Sequence, residues 1–158
     1  MYLVYLSFSE YLVSRVGIVK AVIVTLGCIA FALLVFGGYY YCFYSNACKS
    51  GRSYALAAYV ISWSVSVILL LIHVTGMNEK IGEIIPTVEF AWSVFSAILC
   101  LSGSIVLSCF LEGDTNSYGG SRRLASAIFG FLVTIAYVTE AVLLKPVESS
   151  RTSNTADL

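Results

Sequence analysis

Four ionisable residues stand inside long apolar stretches of the sequence: Lys20, His73, Glu89 and Glu140. An ammonium, an imidazole and two carboxylates are the groups that relay protons or line a polar cavity within a membrane, and equally the groups that clamp one helix to another. Their spacing puts them at one depth. Lys20 follows Arg15 by five residues, Glu140 precedes Lys145 by five, Glu89 follows Pro86 by three and His73 precedes Gly76 by three. At 1.5 Å per residue each therefore lies roughly 5 to 8 Å inside the same interface. An uncompensated charge at mid-span costs about 2.5–3.5 kcal/mol on insertion scales, so Lys20 is expected to pair with Glu140 or Glu89. This shallow depth favours an inter-helix clamp with snorkelling over a relay. Acid/base catalysis would also need a nucleophile, a substrate cleft and a route for water. The sequence suggests none of these, so no catalytic residue is assigned. A single histidine without Cys/His spacing argues against a metal site, and no glycine loop leads into Lys-Ser/Thr to hold a phosphate. No cofactor is expected.

The elements that must position these groups follow from composition. Of 158 residues, 59% are hydrophobic and 11% charged, whereas a soluble domain carries about 25% charged residues to keep its surface in water. Lipid is the expected solvent. A formal net charge of zero without a clustered basic face excludes nucleic acid as a partner. Apolar runs predict spans at about 16–44, 54–75, 86–111 and 124–144, each of the length a bilayer requires. The first ends in a tyrosine-rich belt, Tyr39 to Tyr44, suited to the headgroup layer; the third has Pro86 in its first turn; the fourth is flanked by Arg122, Arg123 and Lys145-Pro146. The expected fold is all-α: an integral four-helix transmembrane bundle with short loops and both termini on one side. Arg15, Lys20, Lys80, Lys145 and Arg151 on the terminal side stand against Lys49, Arg52, Arg122 and Arg123 opposite, which leans towards cytoplasmic termini. Residues 1–14 lack the basic start and cleavage site of a signal peptide and are read as an interfacial or frayed segment, through Tyr2, Tyr5, Phe8 and Tyr11. The polar tail, 146–158, is expected to be disordered.

Small residues recur at helical spacing. Glu89, Ser93, Ser96 or Ala97, Cys100, Ser104 and Ser108 share one face of the third span, and Ser126, Gly130, Thr134, Tyr137 and Ala141 one face of the fourth. In the first span Gly17, Ala21, Thr25, Cys28 and Ala32 form the expected packing face, with Gly27 a second glycine in the same helix. Lipid tails give helices no hydrophobic reason to associate, so close approach of small faces and weak hydroxyl bonds must hold the bundle. A pore lined by the third span's serines is the sharper alternative. Cys28 and Cys100 lie mid-span as small packing residues. Cys42 and Cys48 can form a disulfide if their side is oxidising, and these two thiols with Cys109, which lies on the same side, are acylation candidates if the orientation is reversed.

The segment Arg15-Val16-Gly17-Ile18-Val19-Lys20-Ala21-Val22-Ile23, followed by Gly27-Cys28-Ile29-Ala30-Phe31, resembles the first span of the MARVEL tetraspan family. Ala125 to Tyr137, with its Phe-Leu-Val-Thr-Ile core before a tyrosine, is similar to that family's fourth span, and Glu89 sits where members often place an acid early in the third. The likeness covers roughly residues 14–145. Claudins and tetraspanins differ by their long, cysteine-marked external loops. The resemblance implies an M-shaped protein with cytoplasmic tails and no catalytic residues. Its expected role is to organise membrane subdomains, vesicle traffic, membrane apposition or cell junctions. Its expected partners are membrane lipids, other membrane proteins and further copies of itself. The alternative is a small channel or transporter module using the Lys20, His73, Glu89 and Glu140 layer.

Overall fold

The computed structural model describes residues 14–36, 46–75, 84–109 and 118–144. Each segment is dominated by one helix: α1 (Arg15–Phe36), α2 (Asn46–Val74), α3 (Ile84–Cys109) and α4 (Tyr118–Leu144). All four are long and apolar enough to cross a membrane, and only helices or closed barrels keep every backbone N–H and C=O paired in hydrocarbon. Each helix packs on the next, and α4 closes back on α1. Residues 1–13, the belt from Gly37 to Tyr44 and the tail lie outside the described residues, as does the side chain of Cys48, so the Cys42–Cys48 pairing does too.

The helix ends show how the chain meets its interfaces. Ser14 caps α1, its hydroxyl accepting from the Gly17 N–H at 3.1 Å, and so satisfies one of the donors that a helix start leaves open. At the other end of α1 two arginines supply donors for carbonyls that the helix cannot pair itself. Arg52 of α2 donates to the Leu34 carbonyl at 2.9 Å, and Arg122 of α4 to the Phe36 carbonyl at 3.1 Å. These reaches correct two expected boundaries. The stretch 45–53, expected to be a loop, is helical from Asn46, and α4 starts at Tyr118 rather than near Leu124. Both extensions carry the arginines to α1.

The bundle is inverted relative to a soluble protein. Ile18, Ile68, Ile98, Ile105, Ile128, Ile135 and Val142 are exposed, while Ser62, Ser66, Ser93, Ser96, Ser104 and Ser126 are buried. Aliphatic side chains lose nothing by facing lipid, whereas a hydroxyl facing lipid has only the carbonyls of its own helix, as Thr25 and Thr139 show.

The first helix corrects another expectation. Its buried face is Gly17, Lys20, Ile23, Gly27, Ala30 and Leu34. Cys28 is exposed and Ala21 only partly buried, with Thr25 exposed beside them. A helix advances 100° per residue, so Lys20 and Ala21 cannot both face the core centre. Once Lys20 turns inward, positions 23, 27, 30 and 34 follow it, and Cys28 is carried towards lipid. Trp63 of α2 fills the space over Gly27: its indole donates to the Val24 carbonyl at 2.9 Å, and its ring meets Phe31 edge-on at 5.2 Å between centroids.

Candidate functional site: a polar seam closed by four charges

The start of α1, the end of α2, the start of α3 and the end of α4 meet at one end of the bundle. Each brings one ionisable group. Lys20 forms an ion pair and hydrogen bond with Glu89 Oε1 across the bundle, and its Nζ lies 3.2 Å from Glu140 Oε1. His73 Nε2 approaches Glu89 Oε1 to 3.0 Å. Lys20, Glu89 and Glu140 are 1%, 2% and 3% exposed, so bulk solvent does not screen them and each depends on the others. Ser93 ties Glu140 to the backbone of α3. Its hydroxyl is 2.8 Å from the Glu89 carbonyl and 2.9 Å from Glu140 Oε2, so one proton is shared between two acceptors. Glu140 Oε1 receives no hydrogen bond among the described residues, so Lys20 holds it by charge.

From this layer a seam of hydroxyls continues along the bundle axis. Ser66 and Tyr137 hydroxyls are 2.7 Å apart, and Tyr137 donates to the Ser62 carbonyl at 2.9 Å. Farther along, Tyr59 and Ser104 hydroxyls are 2.8 Å apart, directly over Gly130. Last, Ser126 donates to the Ala30 carbonyl at 2.8 Å and draws α4 onto α1. In α3, Ser93, Ala97, Cys100 and Ser104 are buried along one face, as are Ser126, Gly130, Thr134, Tyr137 and Ala141 in α4. Ser108 is only partly buried.

Sequence reasoning missed the contribution of α2 beyond His73. Tyr59, Ser62 and Ser66 lie on the same face as His73, at offsets of three, seven and fourteen residues from Tyr59. That periodicity is a visible signal, hidden because the neighbouring Ile68-Leu69-Leu70-Leu71 run dominates the composition of the span. Among the described residues no group of His, Cys, Asp and Glu has the arrangement of a metal site. What the seam does is tie four helices that hydrophobicity alone would leave indifferent to one another.

The MARVEL membrane-associating domain matches residues 11–143, spanning all four helices. The chain belongs to the MARVEL family. MARVEL proteins are non-enzymatic membrane proteins, generally associated with membrane apposition and trafficking. A Xenopus laevis protein named myeloid-associated differentiation marker homolog is 22% identical over 134 residues, covering 84% of this MARVEL chain and 41% of that protein. The chain thus spans about two fifths of that relative's length. No solved structure matches it.

Proposed function

We propose that this chain organises membrane subdomains during vesicle traffic or membrane apposition, by lateral packing with lipids and other membrane proteins. One observation carries the reading: the charged groups and most serines turn inward along one seam, which leaves rows of aliphatic side chains on all four helices as the contact surface. Such a surface meets other molecules sideways, within the bilayer, through shape and hydrophobic thickness rather than through a substrate cleft. Plasma membrane or trafficking vesicles, with cytoplasmic tails, are the setting this role implies. Proximity labelling from the C-terminal tail in native cells, followed by imaging of the captured neighbours before and after the chain is depleted, is the test. Neighbouring membrane proteins are expected to be captured, and on depletion to lose their clustered distribution. An unchanged distribution would count against the proposal.

A second reading rests on the buried Lys20, His73, Glu89 and Glu140 layer, since intramembrane ionisable groups often mark ion or proton pathways. Reconstitution of the purified chain into liposomes separates the two. Packing predicts vesicles no leakier to protons or small ions than protein-free controls, whereas a transporter predicts a flux that Glu140→Gln abolishes.

A further inference from the structure

We propose that the bundle binds one internal water molecule at mid-membrane, between the side chains of Tyr59, Ser62, Cys100 and Tyr137. These four line a cavity of about 10 Å³ together with Gly27 and Val133, among others. That is close to the smallest space that holds one water. All four side chains are at most 2% exposed, and Ser62 stands near the middle of the membrane-crossing part of α2, Ser50–His73.

Proton counting shows why the site is polar. Ser104 spends its single hydroxyl proton on the Cys100 carbonyl at 2.7 Å, so Tyr59 must be the donor in the Tyr59–Ser104 pair and keeps an accepting lone pair. Tyr137 spends its proton on the Ser62 carbonyl, so Ser66 is the donor to Tyr137. The hydroxyl of Ser62 makes no hydrogen bond to an oxygen or nitrogen among the described residues and has only the Cys100 thiol, a weak partner, beside it. A helical serine ordinarily turns back to the carbonyl four residues earlier, as Ser93, Ser104 and Ser108 do here. Ser62 does not. In hydrocarbon a hydroxyl with no better partner than a thiol is costly, because lipid offers it none. A water in the cavity accepts the Ser62 proton and donates to Tyr59 Oη, with Tyr137 Oη or the Cys100 sulfur as second acceptor. It thereby links the Ser66–Tyr137 pair to the Tyr59–Ser104 pair.

Two measurements on the full chain decide the matter. If water occupies the site, Ser62→Ala removes a satisfied hydrogen bond and lowers the melting temperature by a few degrees. If the site is dry, the same change deletes a hydroxyl with no better partner than a thiol and leaves the melting temperature unchanged or raises it, which overturns the proposal. Water-edited solid-state NMR in lipid vesicles supplies a readout independent of stability. Ser62 and Tyr59 side-chain signals are expected to gain water magnetisation several-fold faster than those of the equally buried Ile23 and Leu34. Build-up at the slow rate of Ile23 and Leu34 would overturn it as well.

Discussion

Replacing Lys20 by methionine is expected to destabilise the bundle by about 3–5 kcal/mol, the range for removing one partner of a buried ion pair. The substitution keeps most of the side-chain volume but withdraws the ammonium that lies against both Glu89 and Glu140. Two carboxylates then face each other inside a low-dielectric bundle, with His73 and Ser93 as their remaining contacts. Thermal or denaturant unfolding in detergent micelles reads the effect directly. The accompanying triple variant, Lys20→Met with Glu89→Gln and Glu140→Gln, is expected to recover most of the loss, because a charge-free polar layer leaves no ion uncompensated. A Lys20→Met chain that melts like the wild type would show that the quartet contributes nothing to holding the helices together.

Alanine at Gly130 is expected to cost about 3 kcal/mol, the upper part of the range for overpacking a filled core. A Cβ there would stand 2.7 Å from Tyr59 Cζ and closer still to the Tyr59 and Ser104 hydroxyl oxygens. The hydroxyl pair cannot step aside, since Ser104 is also bonded to its own helix. Two other glycines calibrate the claim. At Gly27 the new methyl would meet the edge of Trp63 at 3.1 Å, and at Gly103 the Ala55 Cα at 3.4 Å. The expected order of destabilisation is Gly130→Ala, then Gly27→Ala, then Gly103→Ala. Melting temperatures of the three purified variants test it, and an inverted order would mean that α2 and α4 are not in this close contact.

These two positions also show what the sequence conveys and what it withholds. The four spans follow from apolar run length, since a lipid solvent leaves the chain few alternatives. The depth of Lys20, His73, Glu89 and Glu140 follows from helical rise. Which carboxylate Lys20 would contact more closely does not follow, because that depends on the diagonal across the bundle between α1 and α3. The small faces of α3 and α4 are legible because serines and glycines mark them against aliphatic neighbours. On α1 the same reasoning selected Ala21 and Cys28, and it failed because two small stripes lie side by side there and only the lysine distinguishes them. The early starts of α2 and α4 were illegible for a different reason. Arg52 and Arg122 find their acceptors on α1, far away in the chain, and local propensity contains nothing of that contact.

The Lys20–Glu140 contact joins the first helix to the last, and this sets an order of events during synthesis. When α1 leaves the ribosome its lysine has no acid to meet. Glu89 emerges only with α3, and Glu140 only with α4. A nascent chain halted after α2 therefore carries a cation and an imidazole without either counter-ion, and at that shallow depth it must snorkel to the interface. The layer of charges is completed only when α4 arrives, so a chain halted before it leaves Lys20 without one of its two carboxylates.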